Sequence, residues 1–119
     1  MKKRSSENLR QFPRIETSVE INYEFGMESF SEYTLDLSQK GLYVKTSRPL
    51  EVDSVLTVDF TLPGLDYQFK LNGRVAWKRL HENEGGPPGM GIEFLYLEDR
   101  DKQALIHYVV SSQLTRKGY

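Results

Sequence analysis

Repeatedly along this chain apolar and polar residues trade places, and that period of two belongs to a half-buried β-strand. In SVEINYEF, Val19, Ile21, Tyr23 and Phe25 alternate with Ser18, Glu20, Asn22 and Glu24. In the next run Tyr33, Leu35 and Leu37 share one parity, and Glu32, Thr34, Asp36 and Ser38 share the other, which should face solvent. GLYVKTS continues as a third strand, and Leu56, Val58, Phe60 and Leu62 alternate in a fourth before PGLD turns the chain. From Tyr67 to Leu80, Phe69, Leu71, Val75 and Trp77 point one way while Lys70, Asn72, Arg74 and Lys78 point the other. Met90, Ile92, Phe94 and Tyr96 make the sixth. Only the last segment has helical character. Glu98, Asp99 and Asp101 suit the positive end of a helix dipole, Leu105, Ile106, Val109 and Val110 form an apolar stripe, and Arg116 and Lys117 close a basic end. Strands with one polar face each, no βαβ alternation and one amphipathic helix predict a mainly β fold: an antiparallel barrel or rolled sheet covered by the helix.

A chain of 119 residues builds one core without help from disulfides or metals, and it contains no cysteine. Residues 1–11 are polar and aperiodic and read as a flexible N-terminal arm; residues 12–119 read as the barrel domain with its helix. No apolar run reaches the ~18 residues of a membrane span. The start MKKRSSENLRQF has basic residues with no apolar segment behind them, so neither export nor membrane insertion is indicated and a cytoplasmic location is expected. With 16 basic and 17 acidic residues there is no broad positive field for DNA or RNA, so any anion must be recognised locally.

Enzyme signatures are missing. His81 and His107 stand in no zinc spacing and beside no nucleophile motif, and GGPPGMG has neither GK[ST] nor GxGxxG. No catalytic residue, metal or cofactor is expected. Trp77 shares its parity with core residues and reads as core, with a base-stacking platform as the alternative.

Two groups of residues remain. Arg10 and Arg14 stand four apart in NLRQFPRIE, where Pro13 disfavours helix at Phe12, so the spacing is carried by a loop in which two guanidiniums can converge. Guanidinium is matched to bidentate contacts with phosphate and with the O6/N7 edge of guanine. In TLDLSQKGLYV, Asp36 and Ser38 fall on the outward parity. A carboxylate there can accept from guanine N1 and N2 donors and a hydroxyl can reach a phosphate, or both can bond local backbone in a tight turn. Gly41 permits a positive φ or a close backbone approach.

With RQFPR at 10–14 and DLSQKG at 36–41, the sequence resembles the PilZ domain family of bacterial cyclic di-GMP receptors, whose motifs are RxxxR and [D/N]xSxxG. GRVAWKR and GMGIEFLYL look like the family's later strands, so the likeness covers almost the whole chain. The resemblance implies a six-stranded antiparallel PilZ-type β-barrel with a C-terminal α-helix. It implies that Arg10 and Arg14 hold phosphates and guanine edges, that Asp36 and Ser38 bind the guanine and neighbouring atoms, and that Gly41 shapes the turn. It further implies a stand-alone receptor, not an enzyme, that acts through an unidentified protein partner on motility, adhesion or polysaccharide output. A PilZ-fold adaptor that binds proteins and no nucleotide is the alternative.

Overall fold

The computed structural model describes residues 13–82 and 85–116. Its strands are β1 Arg14–Glu16, β2 Glu20–Phe25, β3 Glu28–Ser38, β4 Gly41–Lys45, β5 Val55–Leu62, β6 Leu65–Arg79 and β7 Gly89–Leu95, and its helix is α1 Asp99–Arg116. All pairings are antiparallel, in the order β1-β3-β2-β5-β6-β7-β4, and β4 returns to pair with β3. β2 to β7 thereby close a six-stranded barrel, as the alternation predicts. Closure gives each of these six strands two neighbours and lets one face of every strand form a single core. Ile21, Val44, Phe69, Val75 and Met90 are fully enclosed there.

The turns follow from local chemistry. At the β5–β6 tip Pro63 is followed by Gly64 at φ 78°, the pairing a type II turn requires. Outside the ring, Arg74 bonds both Asp53 (2.6 Å) and Glu93 (2.7 Å), and Lys78 bonds Glu51 (2.9 Å), which pins the loop between β4 and β5 onto β6.

β1 was not anticipated, because three residues cannot display a period. It pairs with the last residues of β3 on the same edge that β2 uses further back, so β1 and β2 form one interrupted strand. Thr34 mends the break: buried, its hydroxyl accepts from Val19 N–H (3.0 Å) and donates to Thr17 C=O (2.6 Å). α1 lies against β1 and β3. It contributes Leu105 and Val109 to the core, and the Tyr67 hydroxyl donates to Asp101 at 2.6 Å. The apolar stripe is narrower than expected, since Val110 is exposed.

Four further expectations are corrected. β3 shifts register between Thr34 and Asp36, a bulge at Leu35. The outward parity expected for Glu32 and Thr34 therefore fails before the bulge, where Thr34 is buried and Tyr33 exposed. After the bulge it holds for Asp36, which is not buried while Leu37 is, but Ser38 is enclosed. A second bulge between Val75 and Trp77 turns Trp77 out of the core. Phe25 ends β2 beyond the barrel wall and is exposed. Tyr96 leaves the sheet at φ 48° and is exposed as well.

Candidate functional site

The core and the candidate site are two sides of one set of ladders. Ile15, Leu37, Leu42, Ile92 and Val75 pair in sequence across β1, β3, β4, β7 and β6, and all are buried inside. One step along, Glu16, Asp36, Tyr43, Gly91 and Trp77 pair in the same sequence on the outer face. Directly paired residues on one face are in contact range. The two bulges bring Asp36 and Trp77 into that outer row, which otherwise would break at both ends.

Gly91 makes the row concave. A Cβ there would lie 2.2 Å from Trp77 Nε1 and 2.6 Å from Cε2, so the indole occupies the space a side chain would take. Beside it the Tyr43 ring stacks on Trp77 at 5.0 Å with 24° between planes. The Arg79 guanidinium covers both, 5.1 Å from the Tyr43 centroid and 5.2 Å from that of Trp77, and donates to Pro87 C=O at 3.3 Å. The Tyr43 hydroxyl also donates to Pro87 C=O, at 2.8 Å. The result is a platform of planar groups, half-buried at Trp77 and Arg79.

At the other end of the row stands Asp36. Arg14 is carried by β1, not by a loop, and its Nη2 lies 3.4 Å from Asp36 Oδ1. That oxygen is buried and accepts no hydrogen bond among the described residues. Burial pushes the Asp36 carboxyl above its ordinary value; Arg14 and Arg79 pull it down, and Glu16 pushes it up. An acceptor taken from water without a donor costs ~1–3 kcal/mol, so the carboxylate is set to receive N–H donors.

Ser38 departs from the expectation that it stands outside next to Asp36. It is 0% exposed, its hydroxyl accepts from Lys40 N–H at 3.1 Å, and its nearest acceptor is Gly41 C=O at 3.5 Å. It ties the β3–β4 turn, the local role that the sequence left open. Gly41 serves by close approach rather than by positive φ: a Cβ would fall 2.1 Å from the Ile92 carbonyl oxygen. Arg10 lies outside the described residues. The structure therefore brings Arg14 and Asp36 together, with Ser38 and Gly41 beneath them, and adds Tyr43, Trp77 and Arg79. Their signal in the sequence was faint: Trp77 and Arg79 share a parity, but only the bulge tells which side it faces.

A sequence model of the PilZ domain matches residues 8–111. The chain belongs to the PilZ domain family. Solved structures agree at the level of fold. The Bacillus subtilis inhibitor of motility MotI/DgrA superposes with a TM-score of 0.76 at 18% identity, covering 97% of this chain and 53% of its own. The PilZ domain of YcgR from Escherichia coli, with c-di-GMP, gives 0.68 at 15%, covering 91% and 95%. The K. pneumonia MrkH–c-di-GMP complex gives 0.69 at 14%, covering 99% and 55%. This PilZ chain thus spans about half the length of MotI/DgrA and of MrkH. Comparison with curated proteins finds no match. Among the described residues no cluster of His, Asp and Glu could hold a metal ion, and no helix is long and apolar enough to cross a membrane.

Proposed function

We propose that this PilZ chain is a receptor for cyclic di-GMP that clamps the dinucleotide between its N-terminal RxxxR segment and the barrel surface of its DxSxxG motif, and signals through a protein partner. The observation that carries this reading is the buried Asp36 oxygen, without a donor among the described residues and 3.4 Å from the Arg14 guanidinium. Guanine offers what is missing: N1–H and N2–H donors for Asp36, and an O6/N7 edge for a guanidinium. Arg14 and Arg10 supply the guanidiniums, while Ser38 and Gly41 fix the turn that holds Asp36 in place. Arg79 lies close enough to stabilise the Asp36 carboxylate and would bring a further positive charge to the ligand's phosphates. The fold is shared with the YcgR PilZ domain, which was solved with c-di-GMP. The role is binding and relay, with no chemical step.

Calorimetric titration with cyclic di-GMP tests this, with GTP as control. A bidentate arginine contact is worth about 1–3 kcal/mol, so Arg14→Ala should weaken binding roughly 5- to 150-fold. Stability should fall by less than about 1 kcal/mol, because the Arg14–Asp36 pair is partly solvated. Equal affinity of Arg14→Ala and the parent protein would remove Arg14 from the site. No heat at ~100 μM nucleotide, binding weaker than about −5.5 kcal/mol, would instead favour a PilZ adaptor that works through proteins alone.

A further inference from the structure

β6 outruns its neighbour. It has 15 residues and β7 has 7, and the two strands part at the pair Asn72–Leu95. There the chain bends away at Tyr96, a non-glycine residue in the left-handed region with φ 48°. β6 runs on to Leu65 bonded to β5 alone. α1 packs mainly against β1 and β3 and reaches this part of β6 through its first turn, where Asp101 accepts from the Tyr67 hydroxyl, so it takes no place in the backbone ladder.

Two hydrogen bonds fix which backbone groups face the gap. Val75 N–H donates to Ser54 C=O (2.9 Å) and Val75 C=O accepts from Asp53 N–H (2.8 Å), both on the β5 side. In an antiparallel ladder successive residues bond to opposite sides. Between that point and the β5–β6 tip, odd-numbered residues of β6 therefore bond β5, and Gln68 and Lys70 turn their N–H and C=O groups toward the side that β7 has left. β7 gives the same answer: Phe94 N–H donates to Lys40 C=O (2.8 Å), so Glu93 and Leu95 are the residues that bond β6, opposite Arg74 and Asn72. No strand pairs with Gln68 or Lys70 on that side among the described residues. A groove of about 310 Å³ runs beside them, bounded by Leu71, Tyr96, Glu98 and Arg100.

We propose that this edge receives an extended segment of a partner protein, which adds to the sheet as a strand in line with β7. A row of outward-facing amide and carbonyl groups is complemented by another backbone, and strand addition to an open edge is an established mode of peptide capture. The groove favours a single strand over a second copy of this chain. Its edge is recessed between β6 and residues 96–101, and two recessed edges do not meet. The side chains define the segment: polar residues beside Gln68 and Lys70 on the outer face, alternating with apolar residues against Leu71 and Tyr67. Tyr96, 89% exposed at the mouth, offers its ring to one more apolar group. The edge lies nine residues from Trp77 along β6, roughly 30 Å, so it can be filled while the Asp36 site is occupied.

Amide exchange and NMR titration with a capped six-residue peptide of alternating threonine and valine test the proposal. In the free protein the Gln68 and Lys70 amides should exchange at least about tenfold faster than those of Phe69 and Leu71, which bond β5. The peptide should slow them by a similar factor, with resonance shifts confined to residues 66–72 and 96–101. Gln68→Pro removes a backbone N–H that faces the groove and no backbone N–H that bonds β5; with the exposed Gln68 Nε2–Asp59 bond also gone, it should lower the melting temperature only slightly and lose the peptide response. Tyr96→Ala should weaken that response without touching the ladder, which covers the case in which the proline variant misfolds. Slow exchange of Gln68 and Lys70 in the free protein at every concentration would show the edge already closed. Slowing that grows with protein concentration would make a second copy the occupant. Either result, or no response at about 5 mM peptide, overturns the proposal.

Discussion

Replacing Gly91 with alanine should unseat the single tryptophan of the chain. The new Cβ would stand 2.2, 2.6 and 2.8 Å from three atoms of the Trp77 indole and meet no backbone atom that closely, so the whole conflict falls on one side chain. If the indole stays, overpacking of this kind costs about 1–3 kcal/mol. If it swings out, the protein loses the stack on Tyr43, about 0.5–1.5 kcal/mol, and the Arg79 cation–π contact, about 0.5–1 kcal/mol. Alanine in place of strand glycine returns up to ~1 kcal/mol in either case. The net loss should be about 1–2 kcal/mol, which for a chain of this size lowers the melting temperature by roughly 4–8 °C. Urea unfolding followed by circular dichroism gives the free energy, and tryptophan emission reports Trp77 alone. A swung-out indole shifts that emission to the red. In a Trp77→Ala background Gly91→Ala should be harmless, a coupling of about 1 kcal/mol or more. A variant within ~0.3 kcal/mol of the parent, with unchanged emission, would refute the seating of the indole on Gly91 and with it the platform.

Asp36→Asn tests the buried carboxylate through pH. Its folded pKa is raised above the unfolded value near 3.8, so the carboxyl's contribution to stability is complete below pH ~3.8 and is lost as pH rises through the folded value. The asparagine variant should accordingly gain stability relative to the parent as pH climbs across that window; a difference that does not change between pH 3.5 and pH 7 in chemical denaturation would contradict the desolvation of Asp36. Thr34→Val keeps the shape and strips both bonds that mend the β1–β2 break, leaving Val19 N–H and Thr17 C=O without that partner, at a cost of about 2 kcal/mol in urea unfolding. A cost below ~0.5 kcal/mol would show that the break needs no mending.

The barrel was legible because alternation is a property of each strand taken singly: Leu56, Val58, Phe60 and Leu62 face inward as their parity predicts. A bulge belongs to two strands at once. Nothing in YTLDL marks Leu35 as the extra residue until Val44 and Tyr43 are set against Thr34 and Asp36, and the same holds for Ala76 beside Ile92 and Gly91. The parities of Tyr33, Thr34 and Trp77 went astray for that reason. The site was legible in part. Arg14 and Asp36 carry charge in a recognisable spacing, and the structure pairs them. Ser38 shares the spacing and yet is enclosed by its own turn, because a short hydroxyl reaches the neighbouring Lys40 amide. Tyr43 and Arg79 come from strands far apart in the chain, and only closure of the sheet brings them into one stack.

That closure sets a schedule for folding. The hairpins β2–β3 and β5–β6 join near neighbours, whereas β4 and β7 join residues 44 to 52 positions apart, from Lys45–Gly89 to Gly41–Glu93. Contacts between distant residues form late, after shorter loops have been closed. The row from Asp36 to Trp77 crosses the β4–β7 junction, so a chain in which those strands have not yet met does not hold the whole of it. A chain still emerging from the ribosome has no platform until the segment through Leu95 has been made and has docked, and occupancy of this surface marks a barrel that has finished folding.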